Sequence, residues 1–259
     1  MAHFDMSFYS PSLRKNAKLT VFLPTVSADD YLNDAPVRYY DADTCYQTLY
    51  LLHGSYGDCM DWALFTGLER YAQDHCLAVV MPTTDLGWYT DMYRGDKYFA
   101  FITRELPAVC RRMFGLGAAR EQNYIFGLSM GGYGAMKCAL TYPGRYAGAA
   151  SFSDVCDLRR TVERRSISLH ESEIAAIFGE EKAVPPKDDL SVLAERLSGD
   201  APGLYLSCGE QDGLYAANER FSAHLVSLSL AHRFDHWPGA HSWDFWDRSL
   251  RVALAYFFD

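Results

Sequence analysis

Three residues far apart in the chain have the types that acyl transfer needs: Ser129, Asp212 and His241. A serine hydroxyl is a weak nucleophile at neutral pH. It requires an imidazole to take its proton and a carboxylate to fix the imidazole's tautomer and stabilise its charge. Ser129 is the centre of Gly127-Leu128-Ser129-Met130-Gly131, which follows the apolar run Tyr124, Ile125, Phe126 and opens a helix-like segment ending near Tyr142. Where a strand turns abruptly into a helix, the central serine has little room around it, and the glycines on either side leave that room. The helix behind it aims unpaired N–H groups at the same point, so negative charge developing there would be stabilised.

Among the eight histidines, His3, His75, His170, His224 and His232 fall in predicted termini, helices or a strand start, and His236 lies inside the last predicted strand. His241 follows that strand in a glycine-containing loop and is the expected base. Asp212 follows the strand Gly203 to Cys208 and is the preferred acid. Glu210, two residues off, and Asp154, straight after the strand next to Ser129, remain rivals. The two backbone donors for an oxyanion are expected at Met130 and Ser55, after the serine and in the loop that follows the third strand. His53 in that loop reads as a structural hydrogen-bonding residue.

The elements that must position these groups alternate. Met6 to Tyr9 and Lys18 to Pro24 read as opening strands joined at Ser10-Pro11, and Ala28 to Thr44 as loop. Tyr46 to Leu52 is a continuous apolar run of the kind buried on both faces of a parallel sheet. A helix is predicted over Asp61 to His75, a strand over Leu77 to Met81, and a helix over Tyr98 to Phe114 with Ile102, Leu106, Val109 and Met113 on one stripe. Further strands are expected at Tyr146 to Ser153 and His232 to Trp237, and further helices at Leu214 to Leu228 and from the last strand to Phe257. Strands alternating with helices imply an α/β class, a mostly parallel sheet covered on both faces, with ligands beyond the carboxyl ends of the strands.

Residues 154–200 break the alternation and read as an inserted helical cap, with a capping-box pattern at Ser168 and Glu171. The loop Thr83 to Asp96 is rich in aromatic side chains, and Trp88 is its candidate for lining a substrate pocket. The stretch Gly115 to Arg120 lacks the third glycine of a dinucleotide fingerprint and precedes a strand where the fingerprint needs a helix.

The whole chain of 259 residues reads as one domain. Its formal charge of −9, without any long basic cluster, excludes nucleic acid and anionic membrane surfaces as expected partners. No stretch approaches the ~20 apolar residues that span a bilayer, and the first residues lack the pattern of a signal peptide. Seven cysteines without C-x-x-C spacing fit free, mostly buried thiols in a reducing compartment, and the cytoplasm is the expected location. No H-E-x-x-H or clustered Cys/His spacing suggests a metal. No cofactor is implied, and homo-oligomerisation is left open.

Four motifs in order, Leu51-Leu52-His53-Gly54, Trp88-Tyr89-Thr90-Asp91-Met92, Gly127 to Gly132 and Gly239-Ala240-His241-Ser242-Trp243, resemble the esterase D-like esterases of the α/β-hydrolase fold, with tributyrin esterases and acetylesterases as look-alikes. The resemblance covers nearly the whole chain and is weakest from Val155 to Asp200. It implies a carboxylesterase for short acyl chains, with Ser129, Asp212 and His241 as triad and Ser55 and Met130 as oxyanion hole. Relatives in that group include feruloyl esterases, S-formylglutathione hydrolases and mycolyltransferases. The loop His53 to Asp58 lacks the cysteine-bearing sequence of the S-formylglutathione branch. A non-catalytic binding protein on the same scaffold is the reading from another class.

Overall fold

The computed structural model describes residues 1–33, 44–164, 169–197 and 200–259. Eight strands form one sheet: β1 (Ala2–Ser10), β2 (Lys15–Leu23), β3 (Thr48–Leu52), β4 (Ala78–Pro82), β5 (Asn123–Leu128), β6 (Gly148–Phe152), β7 (Gly203–Gly209) and β8 (Arg233–Trp237). Their order is β1-β2-β4-β3-β5-β6-β7-β8. The β1–β2 hairpin and the β2–β4 pair are antiparallel, and every pair from β4 to β8 is parallel. This is the α/β-hydrolase fold, and the opening hairpin supplies its antiparallel edge.

The central strands are apolar throughout because they are buried on both faces. Successive side chains of a strand point to opposite faces. Leu49 and Leu51 of β3 therefore join one apolar cluster, and Tyr50 and Leu52 the other. The first cluster packs under the helices Asp61–Phe65, Leu68–Asp74 and Trp243–Phe258. The second packs under the helical segment 98–114 and the helices Met130–Thr141 and Tyr215–Ser227.

Several expectations are corrected. The helix predicted over Asp61 to His75 is two helices, broken where Thr66 is extended and the Gly67 N–H is drawn 3.0 Å from an Asp247 carboxylate oxygen. The segment 98–114 contains one π-helical turn, Phe101–Glu105. The extra residue shifts the buried stripe to Ile102, Leu106 and Cys110, leaving Met113 59% exposed. Ala28 to Thr44 is not all loop, because Ser27 and Asp30 form a capping box that starts a helix at Ala28–Leu32; residues 34–43 of the expected loop lie outside the described residues. Ser168 is likewise outside them. The helix Glu171–Phe178 starts at His170, whose backbone N–H donates to Glu173 at 2.6 Å.

Between β6 and β7 the helices Leu158–Glu163, Glu171–Phe178 and Leu190–Glu195 interrupt the βα alternation, as expected. All seven cysteines are free; four are buried, while Cys45 and Cys76 are exposed. Among the described residues no helix is long and apolar enough to cross a membrane.

Where β5 ends, backbone segments approach closely. A Cβ on Gly127 would overlap the Gly131 carbonyl, and one on Gly131 would sit 2.5 Å from the carbonyl oxygens of both Leu52 and His53. Neither obstacle is a flexible side chain. Gly127→Ala and Gly131→Ala should therefore each cost about 3 kcal/mol of stability, the upper range of an overpacked site. Gly144→Ala, where a Cβ meets nothing within 4 Å, should stay within about 0.5 kcal/mol. Thermal unfolding of the three variants checks the contrast.

Candidate active site

The parallel register brings the ends of five strands to one edge of the sheet. Leu52 pairs with Gly127, Leu128 with Phe152, Phe152 with Ser207, and Gly209 with Trp237. Ser129, Asp212, His241 and the loop 53–58 all follow directly.

Ser129 has φ 52° and ψ −120°, a backbone conformation that a residue with a side chain adopts only under constraint. Its N–H is held by the Phe152 carbonyl at 2.8 Å, and its carbonyl accepts from Tyr133 N–H at 3.1 Å. Met130 begins the following helix, where backbone N–H groups have no carbonyl partner within the helix. The Ser129 hydroxyl lies 3.1 Å from His241 Nε2, and His241 Nδ1 lies 2.8 Å from an Asp212 carboxylate oxygen. The other Asp212 oxygen accepts from the Leu214 N–H at 2.9 Å. Burial works against the charge on Asp212, but the hydrogen bonds from His241 and Leu214 outweigh it and hold its pKa below the usual carboxylate value.

The loops carrying Asp212 and His241 are laced together. The Gln211 N–H donates to the Gly239 carbonyl at 3.0 Å, and the Gly239 N–H donates to the Gln211 side chain at 2.7 Å. A Cβ on Gly209 would overlap the Gly239 carbonyl, so glycine permits this approach. Gln211 carried no signal in the sequence beyond its place in the turn.

The rival acids are accounted for. Glu210 faces away and pairs with His236 at 3.0 Å on the surface. Asp154 is fully buried, and neither of its carboxyl oxygens has a hydrogen-bond partner. The Ser151 hydroxyl and the Cys156 thiol lie beside it without closing a well-aligned bond, and burial pushes its pKa up to about 8. His53 is structural, as expected: it is buried, its Nδ1–H donates to the Gly54 carbonyl at 2.6 Å, and its Nε2 accepts from the Thr84 N–H at 2.9 Å. Burial lowers its pKa, which keeps the ring neutral for those two bonds.

A cavity of about 440 Å³ opens above Ser129. Gly54 and Ser55 line it together with Ser129 and His241, and Trp88 lines it while being only 4% exposed. Trp88 and Tyr89 both have positive φ, and the Tyr89 hydroxyl donates to the His53 carbonyl at 2.9 Å. The inserted helices and their flanks add Val155, Thr161 and Leu169 to the wall. Trp243 and Trp246, which sequence reasoning left out of the site, complete it; Trp243 was legible only as the end of the motif around His241. The buried Lys137 was also missed. It lies on the helix behind Ser129, 2.5 Å from Asp188 of the insertion and 3.1 Å from the Tyr89 carbonyl.

The model of the Esterase family, described as "Putative esterase", matches residues 10–257. The chain belongs to that family. An acetyl esterase of Caldicellulosiruptor saccharolyticus is 28% identical, over 98% of this chain and 97% of its own. The solved structure of FphF, a fluorophosphonate-binding serine hydrolase of Staphylococcus aureus, superposes with a TM-score of 0.87 at 30% identity, covering 100% of this chain and 98% of its own. FrmB, an S-formylglutathione hydrolase from Staphylococcus aureus, gives 0.85 at 30% identity, covering 100% and 99%. The relatives of this chain are thus an esterase and hydrolases, one of them a serine hydrolase.

The buried Asp154 carboxyl makes stability depend on pH. Its folded pKa is raised, so folding takes up a proton between about pH 4 and about 8, and stability falls as pH rises through that window. Asp154→Asn cannot ionise. Between pH 5 and 8 the stability of the variant relative to wild type should therefore improve by about 2–4 kcal/mol. Parallel pH–stability profiles from urea unfolding would show that Asp154 stays ionised.

Proposed function

We propose that this protein is a serine carboxylesterase that hydrolyses short-chain acyl esters through an acyl-enzyme. The observation that carries the reading is the hydrogen-bonded series from the Ser129 hydroxyl through His241 to Asp212, at 3.1 and 2.8 Å, at the floor of a largely apolar cavity.

In this reading His241 Nε2 takes the Ser129 proton as Oγ attacks the ester carbonyl, and Asp212 stabilises the imidazolium. The oxyanion forms beside the backbone N–H groups of Met130 and Ser55. Collapse breaks the ester C–O bond, and His241 returns its proton to the departing alcohol. Water, activated by the same imidazole, then releases the acid and free Ser129. No step needs a cofactor. Trp88, Val155 and Leu169 bound the cavity, and this supports acyl groups of acetyl to butyryl size, with the inserted helices acting as a cap. Seven free thiols support a reducing location, the cytoplasm.

The likeness to FrmB supports a second reading, hydrolysis of S-formylglutathione. Glutathione carries two carboxylates, and among the described residues no lysine or arginine lines the cavity to meet them. We therefore place neutral short-chain esters first, with kcat/KM for 4-nitrophenyl acetate at least about tenfold above that for S-formylglutathione. Ser129→Ala and His241→Ala should each lower kcat by roughly 10⁴–10⁶ with little change in KM, and Asp212→Asn somewhat less. Glu210→Gln should stay near wild type. If Ser129→Ala keeps more than about a tenth of the activity, the protein is not an esterase working through Ser129.

A further inference from the structure

One wall of the cavity above Ser129 carries a carboxylate that ester hydrolysis itself does not use. Asp61 lines the cavity from the first residue of the helix Asp61–Phe65. Gly57 creates its place, because a Cβ there would overlap the Asp61 carboxyl group. The Asp58 backbone N–H is its partner there, and among the described residues the cavity wall contains neither lysine nor arginine. Burial, with the Asp58 carboxylate adding to it, raises the Asp61 pKa above the usual value. A positive charge placed beside it would relieve that cost.

Position decides which part of a substrate Asp61 meets. His241 must hand its proton to the departing alcohol, so that alcohol lies on the His241 side of the cavity. Trp246 stands edge-on to the His241 ring at 4.8 Å, and Trp243 stands edge-on to Trp246 at 5.2 Å. The helix that carries Asp61 packs on the same Trp243: Trp62 meets it edge-on at 5.4 Å, and Phe65 stacks on it at 4.9 Å. Asp61 is therefore on the leaving-group side, in a wall shared with Trp243, Trp246 and the 72% exposed Tyr56. A carboxylate set among aromatic faces is the chemistry that holds an ammonium group.

We propose that Asp61 is a specificity-determining residue that favours esters whose alcohol carries a positive charge close to the ester oxygen and disfavours those whose alcohol carries an anion. This rests on the esterase reading of the same site. The acetate esters of choline, 3,3-dimethylbutanol and 2-hydroxyethanesulfonate place a cation, a neutral group and an anion at the same distance from the ester oxygen. Wild-type kcat/KM should rank them in that order. In Asp61→Asn, an isosteric change, the choline to dimethylbutyl ratio should fall by about fivefold and the sulfonate to dimethylbutyl ratio should rise by a similar factor, the scale of a half-exposed ion pair. High salt should shrink both changes.

Equal ratios in the two proteins overturn the proposal. If Ser129→Ala also abolishes turnover of the dimethylbutyl ester, the esterase reading stands without it. A binding arm reads Asp61 even if none of the three esters is cleaved: calorimetry on Ser129→Ala should find choline acetate bound more tightly than the sulfonate ester, and the added Asp61→Asn should remove that difference. Equal binding of the two esters to Ser129→Ala overturns the proposal as well.

Discussion

The structure depends on one steric constraint, the close approach of three backbone segments at the end of β5. Gly127, Gly131 and the Leu52–His53 carbonyls come within distances that admit no side chain. That contact forces Ser129 into its positive-φ turn, and the helix start follows from the turn. The serine is thus held by backbone packing rather than by its own side chain. Strain of this kind persists only when the surroundings over-determine it. Here they do so from both sides, through the Phe152 carbonyl on the Ser129 N–H and the His53 ring on Gly54 and Thr84.

Around this fixed point the remaining groups are positioned by separate devices. The lacing of Gln211 to Gly239 sets Asp212 against His241. The buried Lys137 joins the helix behind Ser129 to Asp188 of the inserted helices and to the aromatic loop at Tyr89, with the Phe99 ring 4.6 Å from its ammonium. Burial lowers the Lys137 pKa and Asp188 opposes that shift. Removing either partner would leave a charge without compensation in the interior, where an unpaired ion is costly. One ammonium therefore couples the placement of the insertion, the aromatic loop and the nucleophile helix.

Much of this was legible in the sequence because it rests on residues whose types are restrictive. The G-x-S-x-G spacing, the apolar runs of β3 and β5 and the loop position of His241 each admit few alternatives, and they led to the right strand ends. Asp212 was preferred over Glu210 and Asp154 on position alone; the structure adds that Glu210 faces His236 and that Asp154 has no hydrogen-bond partner. What escaped depends on contacts between distant segments. Nothing local in Asp61 or Trp243 reveals that one helix packs on the other. The π-helical turn at Phe101–Glu105 shifts a stripe that a regular period reads through. The insertion reads as helical in the sequence, but its helix starts at His170, an unusual N-cap whose N–H is held by the Glu173 carboxylate.

The central claim is that Ser129, activated through His241, becomes covalently acylated. Its most direct test is peptide mass mapping after brief reaction with 4-nitrophenyl butyrate and acid quench, alongside labelling with a fluorophosphonate. The account predicts a butyryl or phosphonyl adduct confined to Ser129 in the wild type, with labelling slowed by orders of magnitude when His241 is replaced by alanine. An adduct on another residue, or labelling of Ser129 at an unchanged rate without His241, would contradict it.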